Sequence, residues 1–520
     1  MQLYDWQAEC LDKWTENQYK GIVNVVTGAG KTILALAAVQ QLEKAFGADD
    51  LAIKIIVPKT FLVRQWFKAI NESLGVSRDD IGIFLGTHKG KTDRKYMIYV
   101  INSARNSLSR HILADDTKNR IFIIADECHH YGTEENCKIF DFVKVIPGDK
   151  QYYALGLSAT PYCKNYQDVL VPNLGREIYR FTFVQALRAG IISRFSIMNI
   201  CLEFDADERA EYTDLSDKLA LSLLKLKKHC PQLHLSNSQR FFIELDNIMK
   251  THEIADVRQM AQTVFHLSLQ RKEIVYLAGS RVKCVIDLIK LLDRESKIIV
   301  FGERIEMANE IYEKLNALMP GDVGIYHSDL HESTRKTVLR NFEDSEIRII
   351  VSCKTLDEGL NVSDADIGII ASSTSSERQR IQRLGRILRK KDNGKQSCFY
   401  YLYVRDTMEE IEVFHDITEE LYENINVIDL YYDDETEMFT NSYYEGLKLA
   451  AVDAVARKSW GERDILELSR NIDLGIISCD WLMPEQECIK KIKDAATKSE
   501  KNYYIAMLFL IRARFSQTNG

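Results

Sequence analysis

The feature that most restricts this chain is a rhythm. Short apolar runs at residues 21–26, 52–57, 97–101, 120–125 and 152–157 are separated by stretches whose apolar residues recur at helical spacing. Runs this short, apolar throughout, suit strands covered on both faces, and the helical stretches suit the crossovers of a parallel sheet. Residues 32–46 are the clearest crossover, with helical spacing and no breaker. A second set of runs, at 297–301, 323–326, 347–352, 367–371 and 397–404, repeats the rhythm. Two parallel sheets in tandem are the simplest fold that satisfies both sets, and the class is α/β.

The remaining stretches read differently. Residues 196–295 carry helical patterns broken only by Pro231 and Gly279. Within them, residues 216–290 carry twelve Lys and Arg against seven Asp and Glu, a mild excess that suits a solvated helix face. Residues 405–437 hold thirteen acids and one base, Arg405, which predicts a solvated, self-repelling connector before a helical tail over 440–520. The expected division is therefore 1–195, a helical insertion or linker at 196–295, a second lobe at 296–425, and an acidic connector with a helical C-terminal module at 426–520. That division agrees with the roughly three or four domains that 520 residues ordinarily hold.

Composition excludes several classes. No run of eighteen apolar residues occurs, so no membrane span is expected. The start Met-Gln-Leu-Tyr-Asp-Trp lacks the basic and apolar regions of a secretory leader. Eleven scattered cysteines without a Cys-x-x-Cys pair suit reduced thiols in a cytoplasmic protein. A net charge of −8 argues against a chain that coats nucleic acid indiscriminately, while leaving room for a local basic groove.

Two motifs sit on the first sheet. Residues 26–32 read Val-Thr-Gly-Ala-Gly-Lys-Thr, between a predicted strand and a predicted helix. Backbone N–H groups of Thr27, Gly28, Ala29 and Gly30 and of the helix start would face phosphate oxygens. Lys31 would reach the terminal phosphates, and the Thr32 hydroxyl would serve Mg²⁺. Val25 stands where such cradles usually have their first glycine. Asp126 and Glu127 close the run 120–125, at the strand end where ligands of parallel sheets collect. One carboxylate suits Mg²⁺ and the other suits a water nucleophile. His129 and His130 have no neighbouring ligand cluster that would make them a zinc site. A nucleoside triphosphate with Mg²⁺ is the expected ligand.

These motifs, followed by Leu-Ser-Ala-Thr-Pro at 157–161 and Gln-Arg-Leu-Gly-Arg-Ile-Leu-Arg at 382–389, resemble the superfamily 2 helicases and translocases. The flavour is that of the XPB-like proteins and restriction-enzyme helicase subunits, over roughly residues 1–425. The resemblance implies two RecA-like lobes and an ATP hydrolase that moves on, unwinds or remodels nucleic acid, with DNA favoured over RNA. It places Gln7 as the adenine reader, with Tyr4 or Trp6 stacking nearby. His129 would join the ATP site to Ser158 and Thr160, which link hydrolysis to movement. Pro58, Lys59, Thr60, Ser103, Cys353 and Thr355 would contact the nucleic-acid backbone, and Gly359 and Asn361 the nucleotide.

Gln382, Arg386 and Arg389 share one helix face by spacing, and the resemblance makes them catalytic groups brought from the second lobe to the γ-phosphate. Cys353 stands where the family often has threonine, and Asn361 where it often has aspartate. Trp66 reads as a core aromatic. The alternative to a motor is an ATP-gated clamp or regulatory subunit of a restriction or antiviral defence complex, or an RNA helicase. The C-terminal module is the expected site for protein partners. No clustered carboxylate-and-lysine motif in 440–520 supports a nuclease.

Overall fold

The computed structural model describes residues 2–517 except 87, 90–93, 116, 193–194, 234–237, 293–294, 354–364, 373–396, 411–424, 442–445, 447–448, 450–461 and 479. The chain separates into two compact units, the first Met1–Ser193 and the second beginning at Arg194.

In the first unit the strands are β1 (Lys20–Val25), β2 (Leu51–Val57), β3 (Ile81–Leu85), β4 (His88–Lys89), β5 (Tyr96–Val100), β6 (Arg120–Asp126), β7 (Gln151–Ser158) and β8 (Glu177–Phe181). They form one sheet in the order β4-β3-β5-β2-β6-β7-β1-β8, parallel except for the β3–β4 pair. All five apolar runs of the N-terminal third are strands within a residue of their expected ends. Side chains alternate between two cores. Val23, Val25, Ile53, Ile55, Phe122, Ile124 and Leu155 pack with three helices on one face. Ile22, Ile56, Met97, Ile121, Ile123 and Ala154 pack beneath segments of 101–174 on the other. The three helices are α1 (Asp5–Glu16), α2 (Lys31–Phe46) and α3 (Thr60–Leu74). In α3, Val63, Trp66 and Ile70 are buried while Arg64, Gln65 and Lys68 are exposed, an amphipathic stripe at helical spacing.

Register decides where the motifs meet. Asn24 of β1 pairs Ser158 of β7, and Leu157 pairs Asp126 of β6. Ala125 pairs Ile56 of β2, and Val57 pairs Val100 of β5. The loops after β1, β2, β5, β6 and β7 therefore all leave the same edge of the sheet, its C-terminal side.

The second unit holds β9 (Phe195–Leu202), β10 (Ile298–Gly302), β11 (Val323–Tyr326), β12 (Ile349–Cys353), β13 (Ile367–Ile370), β14 (Ser397–Val404), β15 (Asn426–Asp433) and β16 (Met438–Thr440). Their order is β11-β12-β10-β13-β14-β9-β15-β16, parallel except for β15–β16. The five apolar runs expected here are strands. Two neighbours in this sheet differ from the sequence-based expectation. Residues 196–295 do not open on a helix, because β9 lies between β14 and β15. Its Phe-Ser-Ile-Met-Asn-Ile-Cys-Leu run is interrupted by Ser196 and Asn199, yet both are buried, and Asn199 Nδ2 donates to Asp429 Oδ1 at 2.8 Å.

The acidic stretch likewise contains β15. Ile428, Leu430 and Tyr432 alternate inward while Asp429 faces out, so a strand with one wet face was concealed by its total charge.

Beyond β9, the helices Ala206–His229, Ser238–Thr251 and Ala255–Leu277 share a small core of Leu219, Leu226, Leu245, Val257, Ala261 and Val264. The C-terminal helices Glu462–Ser478, Glu485–Asp494 and Lys498–Gln517 place Ile472, Ile476, Met507 and Leu510 in the core of the second sheet. Inside this unit Arg281 is fully buried. It donates to the carbonyls of Val275 (2.7 Å), Ala371 (2.6 Å) and Leu402 (3.2 Å), and to the Glu409 carboxylate. Among the described residues no helix is long and apolar enough to cross a membrane.

Candidate nucleotide site

The loop between β1 and α2 turns on two glycines. Gly28 has φ +89° and Gly30 φ +94°, in the left-handed region that a Cβ disfavours. At Gly30 a Cβ would also stand 2.9 Å from Gln7 Nε2. Val25 is the last residue of β1 and is not among the residues of positive φ, so a side chain is tolerated where a first glycine is usual. Its carbonyl accepts from Lys31 Nζ at 3.4 Å. Ala29 is buried, and Thr32 in the first turn of α2 is partly exposed. Thr27 Oγ1 is buried and has no hydrogen-bond partner among the described residues, a polar atom that the protein alone leaves unsatisfied.

Gln7 is not a surface residue of α1. It is buried, its Oε1 accepts from Tyr4 N–H at 2.9 Å, and its Nε2 donates to Gly30 O at 3.0 Å. The start of α1 is thereby tied to the phosphate loop. Of the two aromatics beside it, Trp6 is buried and stacked on Phe181 with centroids 5.0 Å apart, whereas Tyr4 is exposed. Of the two rings, only that of Tyr4 is open to solvent.

The carboxylates sit across the edge from this loop. Glu127 adopts φ +48°, ψ +54°, a left-handed conformation that costs a non-glycine residue about 1–2 kcal/mol. The turn is held from below by the Tyr131 hydroxyl, which bridges the carbonyls of Ile56 (2.8 Å) and Asp126 (2.6 Å). The result is that Glu127 Oε1 lies 3.7 Å from Lys31 Nζ, while Oε2 lies 3.5 Å from His129 Nδ1. Asp126 is buried. Its Oδ1 accepts the Glu127 N–H at 3.1 Å and its Oδ2 accepts the Trp66 indole N–H at 2.8 Å. Burial first, and then the neighbouring Glu127 charge, push the Asp126 carboxyl up to about 6; the Trp66 bond and Lys31 pull in the opposite direction.

From the carboxylates a chain of bonds runs to β7. His129 Nδ1 meets Ser158 Oγ at 2.9 Å, and the same oxygen accepts the Thr160 N–H at 3.0 Å. The rings of His129 and His130 lie against each other with centroids 4.2 Å apart, tilted by 38°. No group of three metal-ligating side chains occurs among the described residues.

The structure brings Gln7, Thr27, Gly28, Ala29, Gly30, Lys31, Thr32, Asp126, Glu127, His129, Ser158 and Thr160 to one edge of one sheet. Pro58, Lys59 and Thr60 follow β2 on that edge, Pro58 buried and the other two exposed. Ser103 follows β5 and accepts the Gly86 N–H at 2.7 Å, so its hydroxyl also fixes a neighbouring loop. Cys353 corrects the expectation for it. It ends β12 with its side chain in the core of the second sheet, 4% exposed, and not at a surface a strand of nucleic acid would touch. Thr355, Gly359, Asn361, Gln382, Arg386 and Arg389 lie outside the described residues. Trp66 is the residue whose part was missed. It is a core aromatic, as its spacing implies, and it is also a partner of Asp126. The signal was an indole two turns into a helix that leaves β2, the strand beside β6.

Comparisons with known proteins agree with this arrangement. Residues 1–163 match the family described as "Type III restriction enzyme, res subunit", and residues 280–391 match the "Helicase conserved C-terminal domain". The chain is 31% identical over 396 residues to the DNA 3'-5' translocase XPB2 of Sulfurisphaera tokodaii, covering 75% of this chain and 80% of that protein. It is 22% identical to the putative DNA 3'-5' helicase Rad25 of Halobacterium salinarum, covering 79% of this chain and 55% of that longer protein. A fragment of a putative HsdR subunit of a type I restriction enzyme from Vibrio vulnificus has the same fold at 18% identity and a TM-score of 0.52, covering 83% of this chain and 69% of the fragment. With two parallel-sheet RecA-like lobes and this edge of phosphate loop, carboxylates and serine, the chain belongs to the superfamily 2 helicase and translocase ATPases, on their XPB-like side.

Proposed function

We propose that this protein hydrolyses ATP with Mg²⁺ to drive movement along, or remodelling of, DNA. The observation that carries the reading is the continuous path Lys31–Glu127–His129–Ser158–Thr160, which joins a phosphate loop to the β7 end through contacts of 2.9–3.7 Å. DNA is favoured because the relative at 31% identity is a DNA translocase.

The residues fit a magnesium nucleotide. The turn holds Gly28 and Gly30 at positive φ, and Thr27 carries an unsatisfied hydroxyl. Asp126 keeps lone pairs on both oxygens beyond its two protein bonds. Asp126 and Thr32 would hold Mg²⁺, which when bound neutralises phosphate charge. Loop N–H groups from Thr27 to Gly30 cradle phosphate, and Lys31 supplies a point charge to its terminal oxygens. Glu127 accepts the proton of the attacking water, and its strained backbone aims the carboxylate at the space that Lys31 also reaches. Gln7 reads the base edge, while Tyr4 offers a face to it. Arg386 and Arg389 add permanent charge to the transition state, Gln382 adds a neutral hydrogen-bonding amide, and Gly359 and Asn361 contact the nucleotide. Pro58, Lys59, Thr60, Ser103 and Thr355 meet the backbone of the strand without reading its sequence. Protein partners dock on the C-terminal helices.

The test is ATP turnover with and without single- and double-stranded DNA and RNA, followed by displacement of a third strand from a triplex. Stimulation by duplex DNA with displacement supports a motor. Stimulation without displacement favours an ATP-gated clamp in a restriction or defence complex, and stimulation by RNA alone favours an RNA helicase. Lys31→Ala should lose ATP binding and turnover. Glu127→Gln should bind ATP but turn it over slowly, and Arg389→Ala should lose roughly 10³-fold in turnover while still binding nucleotide. Near-normal turnover in all three would end the reading.

A further inference from the structure

Helix α3 links two places that the sequence keeps sixty residues apart. It starts at Thr60, with Lys59 as its N-cap, at the segment assigned to nucleic acid. Six residues later, about 9 Å along the axis, comes Trp66. The ring is 1% exposed and packed in the core with Val63, Ile70 and residues of α2, so it moves with its helix. Its N–H goes to Asp126 Oδ2 at 2.8 Å. Burial does not require that choice: the buried indole of Trp14 donates to a backbone carbonyl, that of Ala154, at 3.0 Å.

The consequences for Asp126 are geometric. One carboxylate oxygen is held by Trp66 and the other by the Glu127 N–H, and together they fix the rotation of the group. That rotation sets the direction of the lone pairs left for a metal ligand. Such outer contacts commonly change metal affinity by about 10–100-fold when removed. An N–H···O bond weakens steeply beyond about 3.2 Å, so a shift of α3 by a few tenths of an ångström is felt at the carboxylate.

We propose that Trp66 is a positioning residue that carries the presence of nucleic acid at the start of α3 to the magnesium-holding carboxylate Asp126. The inference rests on the function proposed above. It adds a second route between strand and nucleotide, separate from the His129–Ser158 route and on the opposite side of β6.

The experiment uses the full chain with 3-benzothienylalanine placed at position 66, which keeps the two fused rings and replaces the N–H with sulfur; Trp66→Phe is the second variant. Binding of a fluorescent ADP is followed as Mg²⁺ is titrated, with and without duplex DNA, alongside ATP turnover. In the unaltered protein DNA should lower the half-saturating Mg²⁺ concentration. Without DNA, both variants should need about 10-fold more Mg²⁺, and DNA should no longer shift that concentration or stimulate turnover to the normal factor. A purely packing role predicts that the benzothienyl variant keeps the normal Mg²⁺ dependence and DNA response, and that result overturns the proposal. If DNA neither shifts Mg²⁺ dependence nor stimulates the unaltered protein, the proposed function fails and takes this inference with it. A normal response in the variants overturns the inference alone.

Discussion

Ser158→Ala is the sharpest perturbation of the nucleotide site. The hydroxyl is fully buried and serves two groups at once, His129 Nδ1 at 2.9 Å and the Thr160 N–H at 3.0 Å. Alanine removes the oxygen and nothing else. Buried His129 losing its bond costs about 1–3 kcal/mol and the partly exposed Thr160 N–H about 1 kcal/mol, so the link between β6 and β7 weakens by roughly 2–4 kcal/mol. Lys31, Asp126 and the Oε1 oxygen of Glu127 make no contact with this hydroxyl. His129 is already 3.5 Å from Glu127 Oε2, so the imidazole can close on that oxygen when the serine is gone. Hydrolysis should therefore fall by no more than about tenfold. Movement per ATP consumed should fall much further, by about 100-fold if some 3 kcal/mol of the link is used in coupling. The assay measures ATP turnover and triplex displacement on the same samples, with a thermal melt to verify folding at the assay temperature. An equal loss in both rates would refute the reasoning, because it would mean that Ser158 only supports the ATP site.

Three further outcomes follow from the structure. Gly30→Ala should cost about 1–2 kcal/mol for its positive φ and displace Gln7, whose Nε2 is 2.9 Å from the new Cβ; weaker binding of a fluorescent nucleotide checks it. Asp126 has its carboxyl raised to about 6 from 3.8, so its stabilising contribution is complete below about pH 4 and is lost as pH rises through 6. In metal-free melts Asp126→Asn should therefore match the unaltered protein near pH 4 and exceed it by up to about 3 kcal/mol at pH 8; a gap that widens toward low pH would reverse the sign and defeat the argument. In the second unit, Glu409→Ala strands the buried Arg281 charge and should destabilise by about 3–5 kcal/mol in denaturant unfolding; changing both Arg281 and Glu409 to Met should recover only part of that loss, because the carbonyls of Val275, Ala371 and Leu402 then lose their donor.

Much of the fold was legible because the central strands are apolar on both faces. Runs such as Leu-Ala-Ile-Lys-Ile-Ile-Val in β2 announce burial whatever the neighbours are. Even there Lys54 is buried, which no pattern foretells. Strands with one wet face or an internal polar pair did not announce themselves. In β9 the buried Asn199 donates its Nδ2 to Asp429, 230 residues later, and neither residue alone implies the other. The phosphate loop, the carboxylates and the serine were legible because their chemistry demands fixed residue types beside strand ends. The roles of Gln7 and Trp66 were less so. Gln7 closes on a backbone carbonyl and Trp66 on a carboxylate across the sheet, and such bonds depend on register that spacing does not carry.

The place of β9 in its sheet has a consequence for how the protein is made. It is the first strand of its sheet to be synthesised, yet its partners β14 and β15 follow about 200 and 230 residues later. At roughly 5–20 residues per second, that is a wait of about 10–45 s. For that interval an eight-residue segment destined for burial has two unpaired edges. Segments of this kind invite pairing with another chain. A chaperone that holds the nascent chain through this interval should therefore raise soluble yield. Any expression boundary drawn between β14 and β15 leaves one edge of β9 open for good.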